Sequence, residues 1–217
     1  MRLKLHNTLT RNSKLPCNSF GIPASYCKTG SKLAKVKGSI CEKCYGKKGN
    51  YLYPSYQELG IERKKFADDI EKFIERMVFL IECESNNYFR WFDNGDLQSY
   101  EQLKAILVIA EKLPSVTFWL TTKEYELIKR LIIDNIEIPK NLIIRVSHPM
   151  IDQQFNENSF FIKQGLNVSS AYKKEKFESI NNNKYSFSCP STKQGNKCLT
   201  CRACWDSEIK NIIYKVK

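Results

Sequence analysis

A chain of 217 residues, 42% hydrophobic and 27% charged, is long enough to bury one core of its own and too short to need several domains. Its longest apolar runs, Met77 to Ile81 and Ala105 to Ala110, are far too short to span a bilayer, which excludes a helical membrane protein. The formal charge of +12 fits a polyanionic partner such as nucleic acid, although Lys32, Lys35, Lys37, Lys43, Lys47, Lys48, Lys173, Lys174 and Lys176 equally fit a solvated surface.

Residues 1–50 are polar and irregular, with an early strand expected at Leu3 to His6. The opening MRLKLHNTLTRNSK has no apolar stretch of the kind a secretory signal needs, so a cytoplasmic protein is expected. Cysteines in that compartment serve as metal ligands or catalysts more readily than as disulfide partners. Cys17, Cys27, Cys41 and Cys44 lie in this stretch. One long helix is expected from Ser55 to Ser85, where Ile61, Phe66, Ile70, Phe73, Ile74, Met77 and Ile81 recur along one face. Cys83, on that helix, reads as a small buried hydrophobe.

Strand and helix then alternate. Tyr88 to Phe92 is β-rich and runs into Asp93-Asn94-Gly95-Asp96, and Ser99 to Lys112 is helical, with Ser99 and Gln102 placed for N-capping. Val116 to Leu120 is a strand ahead of Thr121-Thr122-Lys123, and Tyr125 to Ile133 is helical. Asn141 to Val146 is a strand ending at Ser147-His148-Pro149, and Gly165 to Ser170 is a shorter one. This alternation predicts a parallel sheet in a single α/β domain over 1–217. Its parts are a cysteine-rich metal-binding segment at 1–50, a β/α core at 51–185 and a second cysteine-rich metal-binding segment at 186–217. Four or five strands fall short of a closed barrel, so a partial, open β/α barrel is expected, with a flat doubly wound sheet as the alternative.

Cys189, Cys198, Cys201 and Cys204 form the C-terminal set. A C-x-x-C step lets two thiolates meet one ion or cluster without backbone strain, and both sets contain one. The double step from Cys198 to Cys204, with Cys189 as a remote fourth ligand, suits a 4Fe-4S cluster better than zinc. Two such four-thiolate sites, each with net charge −2, lower the overall balance to about +8. The N-terminal set is looser. If Cys17 joins Cys27, Cys41 and Cys44 the site is closed; if Cys17 stands apart, a coordination position is open. His6 and His148 are not needed as ligands and read as structural residues.

Working residues of parallel β/α folds gather at the carboxyl ends of strands. That rule selects Asp93, Asn94, Asp96, Thr121, Thr122, Lys123, Ser147, His148, Ser169 and Ser170. Asp93, Asp96 and Lys123 are the candidate catalytic groups, the two carboxylates as proton acceptors and the lysine as a partner for a carboxylate or phosphate. Asp-Asn-Gly-Asp is equally a plain turn sequence, and Lys123 and His148 are equally explained without a catalytic role.

The segments SKLPCNSF, YCKTGSKL, GSICEKCYGKKGNY, FRWFDNGDLQS, TFWLTTK and SFSCPSTKQGNKCLTCRACW span nearly the whole chain. Together they resemble the gene product 88-like family of phage and mobile-element proteins. The resemblance implies two cysteine-ligated metal centres, a phage or prophage origin, and therefore the host cell cytosol. It also implies a distant similarity to radical S-adenosylmethionine barrels, but no particular reaction. Tyr45 after Cys44 is similar to the aromatic in the cluster loop of those enzymes. Cys27, however, lies fourteen residues before Cys41 rather than four, so the spacing does not support S-adenosylmethionine as a ligand.

The expected function is an iron–sulfur protein with one or two 4Fe-4S clusters, acting as a redox or radical enzyme on an unidentified small molecule. One alternative is a zinc-stapled nucleic-acid-binding module without catalysis. Another is an enzyme whose metal centres only hold the fold while Asp93 and Asp96 do acid–base or phosphate chemistry.

Overall fold

The computed structural model describes residues 9–180 and 185–216; the strand expected at Leu3 to His6, and His6 itself, lie outside them. Eight strands make one open sheet: β1 (Thr10–Arg11), β2 (Asn18–Phe20), β3 (Tyr88–Trp91), β4 (Thr117–Thr122), β5 (Leu142–Ile151), β6 (Asn167–Tyr172), β7 (Ser186–Ser188) and β8 (Asn211–Lys215). Their order is β1-β2-β3-β4-β5-β6-β8-β7, and every pairing is parallel except β1 with β2. From β2 to β6 the strands lie side by side in chain order, as successive βαβ units require.

The helices are α1 (Lys28–Leu33), α2 (Pro54–Asp68), α3 (Ile70–Cys83), α4 (Tyr100–Lys112), α5 (Tyr125–Ile133), α6 (Phe160–Lys163) and α7 (Lys174–Glu178). The single helix expected from Ser55 to Ser85 is two. Asp69, at φ −90° and ψ 89°, ends α2 and caps α3 by accepting the Lys72 N–H at 3.4 Å. Cys83 is exposed rather than buried, because it sits at the outer end of α3. The cap expected at Ser99 is present, its hydroxyl accepting the Gln102 N–H at 3.1 Å. No helix among the described residues is long and apolar enough to cross a membrane.

Alternation along the strands sends side chains to two different covers. Phe20, Phe89, Trp91, Phe118, Leu120, Ile144 and Val146 pack with Phe73, Met77, Leu103 and Ile106 of α3 and α4 in the main core. Phe20 meets Phe73 edge-on at 5.5 Å. The opposite parity, including Trp119 and Ile212, packs beneath the C-terminal loop with Trp205, Ala203, Cys17 and Cys204. Trp119 and Trp205 meet at 5.2 Å, and the Trp205 indole N–H donates to the Phe89 carbonyl at 2.9 Å.

This loop has little regular structure, so its carbonyls need partners from elsewhere. Arg145, fully buried on β5, supplies them. Its guanidinium donates to the carbonyls of Cys204 (2.9 Å), Ile209 (2.7 Å), Ala203 (2.9 Å) and Asp206 (2.6 Å). Asn167 of β6 adds bonds to Ser207 (2.8 Å) and Ile209 (3.0 Å). Arg145→Leu strips four loop carbonyls, two of them buried, of their donor and is expected to destabilise the fold by about 3–5 kcal/mol. Arg145→Lys, which keeps the charge but not the fork, should recover only part of the loss. Chemical denaturation of the three proteins measures it, and a change below about 1 kcal/mol would mean that the loop does not depend on Arg145.

Candidate metal centres

All nine cysteines are free, and they separate into two groups plus Cys83. Cys27 caps α1 just beyond the carboxyl end of β2, and Cys41 and Cys44 lie in the loop that follows. A side chain placed on Gly30 would have its Cβ 3.0 Å from the Cys27 Cβ and in ordinary contact with the Cys41 sulfur (3.6 Å) and the Cys27 sulfur (3.8 Å), which puts Gly30 beside both thiols. The loop is fixed at both ends of the rim. Ile40 N–H donates to the Pro149 carbonyl at 2.9 Å, Ile151 N–H to the Gly38 carbonyl at 3.0 Å, and the Tyr45 hydroxyl to the Asp93 carbonyl. Gly46 permits this docking, since a Cβ there would lie 2.0 Å from the Asn94 Oδ1.

Polar groups from the ends of β3 and β4 surround these three thiols. Asp96 accepts from the Thr122 hydroxyl (2.6 Å) and from the N–H groups of Lys123 (2.9 Å) and Leu97 (2.9 Å). Burial outweighs those bonds and lifts its carboxyl to about 6, within range of proton exchange near neutrality. Glu124 accepts the Thr29 N–H (2.9 Å) and hydroxyl (2.8 Å). Burial raises the Cys27 thiol, and the charges of Asp96, Cys44, Cys41 and Glu124 add to it. Burial also raises Cys41, against the pull of Lys123 and Lys47.

The second group lies across the sheet. Cys17 precedes β2 with the parity of Ser19, whose register partner is Arg90, and it packs with Cys204, Trp119 and Trp205, with Cys189 and Cys201 at the margin. The Cys198 N–H donates to the Lys14 carbonyl at 2.9 Å. Cys17 therefore stands with the C-terminal cysteines and not with Cys27, Cys41 and Cys44. Burial pushes the Cys17 thiol up to about 12, with Arg90 and Arg202 opposing the shift and Cys198 adding to it. Burial likewise lifts Cys204 to about 12, against a 3.3 Å contact with the Tyr214 hydroxyl and the charges of Arg145 and Arg90. Cys198 is raised by burial and by Cys189 and Cys201.

Arg90 stands between the groups. It feels Tyr45 and Asp93 on one side and Tyr214 and Cys204 on the other, which keep it charged despite its burial, and its guanidinium stacks on Trp119 at 4.3 Å. Arg90 Nε and Trp119 Nε1 are both buried donors with no hydrogen-bond partner. Phe92, next to this junction, holds φ at +52°, an unfavourable conformation for an aromatic residue.

Of the candidate catalytic residues, Asp96 and Lys123 belong to the three-thiol rim. The Asp93 carbonyl anchors Tyr45 at the rim, but its carboxyl points away from the three thiols: it is buried near Arg90 and Arg63, with Oδ1 unpartnered and 2.4 Å from where a Cβ on Gly21 would sit. His148 lies against its own strand, its Nδ1 engaging Met150 at 3.2 Å and its ring meeting Phe155 at 4.9 Å. The reading from sequence missed Glu124, Arg90 and Arg145. The two arginines were detectable as single charges inside the apolar strands FRWF and LIIRV; Glu124 carries no comparable signal.

A built metal site draws several buried thiolates together, at a cost in repulsion that the metal offsets. The donor type, the partial burial and the mutual repulsion fit such a group. The thiols are gathered but not converged: among the described residues, no three His, Cys, Asp or Glu are set closely enough to hold an ion. An open groove of about 730 Å³ lies away from the rim, at the amino ends of β3 to β5, lined by Tyr88, Thr117, Asn141, Cys201, Arg202 and Trp205.

No curated protein and no solved structure matches the chain. The family model for Gene product 88 matches residues 2–207. That span covers both cysteine groups, the rim residues and the sheet as far as the loop before β8, and the chain belongs to the gene product 88 family.

Proposed function

We propose that the chain is an iron–sulfur protein with two centres of unequal character on a partial β/α barrel. Cys27, Cys41 and Cys44 form the reactive centre, and the group of Cys17, Cys189, Cys198, Cys201 and Cys204 forms a closed one. The observation that carries this proposal is the partition of the thiols. Three stand at the carboxyl rim among Asp96, Lys123 and Glu124, and five stand on the far face, in and under the C-terminal loop, with Arg90 and Trp119. A cluster held by three thiolates supplies an iron with a free coordination position, and with it electron transfer where a substrate can reach. With Cys17 elsewhere, S-adenosylmethionine becomes admissible as a ligand there.

The surrounding residues have separable tasks. Asp96 ties the end of β3 to the end of β4 and can hold a proton near neutral pH. Lys123 offsets negative charge at Cys41. Arg90 Nε and Trp119 Nε1, orphaned as they stand, are donors suited to anionic sulfur on the far face.

Protein purified without oxygen is expected to be brown and to contain iron and acid-labile sulfide. Colourless protein loaded with zinc, with no cluster recovered on reconstitution, would favour the zinc-stapled reading instead. Cys27→Ala, Cys41→Ala and Cys44→Ala should each leave the fold intact and remove roughly half the iron, one of two clusters. Cys198→Ala should instead lower Tm by about 10 °C or more, because its centre holds the loop over the sheet. Equal effects from both sets would refute the division of roles.

Arg90→Gln is expected to move the reduction potential of the far-face centre negative by on the order of 50 mV, since a nearby cation favours the reduced, more negative cluster. Redox titration followed by electron paramagnetic resonance measures the shift; an unchanged potential would remove Arg90 from that role.

A further inference from the structure

We propose that residues 28–53 form a landing surface for single-stranded nucleic acid, and that an unpaired stretch of DNA or RNA is the substrate class offered to the rim centre. The second half rests on the function proposed above; the binding surface does not.

The charge is concentrated here. Lys28, Lys32, Lys35, Lys37, Lys43, Lys47 and Lys48 stand against a single carboxylate, Glu42, so twenty-six residues carry half of the chain's formal +12. All seven lysines are exposed. None of them forms an ion pair among the described residues, whereas Lys64, Lys72, Lys129, Lys173 and Lys215 elsewhere do. Glu42 itself accepts the Gly38 N–H at 2.7 Å. Lys28 Nζ donates to the Gln98 carbonyl at 2.7 Å, and the density of cations without a carboxylate partner matches a chain of phosphates.

The same segment exposes flat and apolar side chains. Tyr45 is 56% exposed, Tyr53 61% and Leu52 60%. Tyr45 is braced from within by Tyr51 at 5.7 Å, and Tyr51 by Tyr56 at 5.0 Å. Rigid aromatic rings among lysines are the recognition chemistry of unstacked bases, which present a π-face that a duplex keeps inside. An acidic peptide would answer the lysines and leave the rings without a partner. The segment also carries Cys41 and Cys44 and crosses the rim from Asp93 to Pro149, so a strand bound to it passes over the three thiols. Thiols sunk at a strand rim can act only on a base that is not paired.

The test is fluorescence anisotropy with short labelled single-stranded DNA, single-stranded RNA and duplex DNA. It uses the full chain prepared without oxygen, with iron and sulfide measured on the same sample. A single strand of at least one kind should bind about tenfold tighter than duplex, with affinity falling steeply as salt rises. K32E/K35E/K48E, which spares every residue next to a cysteine, should flatten the salt dependence by about two in log–log slope. The matched triple K65E/K112E/K163E, on α2, α4 and α6, should leave it unchanged. Tyr53→Ala should weaken binding about fivefold or more without altering that slope.

Absence of binding at low salt, duplex bound as tightly as single strand, equal losses from both triples, or no effect of Tyr53→Ala would each overturn the proposal. The metal content separates the two ideas. Cluster-loaded protein that ignores oligonucleotides refutes the landing surface and the substrate class and leaves the cluster proposal standing; zinc-loaded or metal-free protein that binds them refutes the rim chemistry alone.

Discussion

The guanidinium of Arg145 is the constraint on which the far side of this molecule depends. A parallel sheet must bury both faces, and one face here is covered by α3, α4 and α5 with abundant aromatic and aliphatic side chains. The other has few apolar residues, among them Trp119, Trp205 and Ile212, too few to hold an irregular loop by burial alone. Arg145 completes the cover by meeting four loop carbonyls, of which those of Cys204 and Ala203 are buried. The loop so fixed sets Cys204 beside Tyr214 and Trp205 against β3, and β3 carries Arg90. A single buried charge thereby links sheet, loop and thiols.

The separation of Cys17 from Cys27 follows from the short strand between them. β2 has only three residues, Asn18 to Phe20, yet it runs parallel to β3. Cys17, at its start, takes the far-face parity; Cys27, beyond its end, falls at the carboxyl rim. Residues ten apart in sequence are thus assigned to different sites by topology. The rim is left with three thiols and a ring of acid–base groups, and the far face with five thiols among arginines and indoles.

The strands from Tyr88 to Tyr172 and the Ser99 cap were legible because each combines a local pattern with a local turn signal. The carboxyl-end rule correctly brought Asp96 and Lys123 to one rim. It also selected Asp93, whose carboxyl is buried near Arg90 and Arg63 just after Phe92, a residue at φ +52°. The break at Asp69 was hidden because the apolar spacing of Phe66, Ile70 and Phe73 continues across it, and Phe66 and Phe73 still meet at 5.5 Å. β8 was missed because Asn211 to Lys215 is a short run whose place beside β6 is set by long-range pairing. Arg145 is visible in the sequence as an anomaly, but its four acceptors lie some sixty residues away, and no local rule connects them.

The two thiol groups are connected physically as well as by ancestry in one chain. Arg90 stacks on Trp119 on the far face and lies in the field of Tyr45 and Asp93, which belong to the rim loop's anchorage. A change of charge at the far-face centre is therefore felt by the cation that helps position Tyr45, and Tyr45 follows directly on Cys44. On the proposed function, this gives the closed centre a task beyond holding the loop. A charged centre there would act on Arg90, which lies in the field of Tyr45 and Asp93, and the Tyr45 contact with Asp93 holds one end of the segment carrying Cys41 and Cys44. Coupling of this kind needs no conformational transition, only a shared guanidinium between two sites that would otherwise be independent.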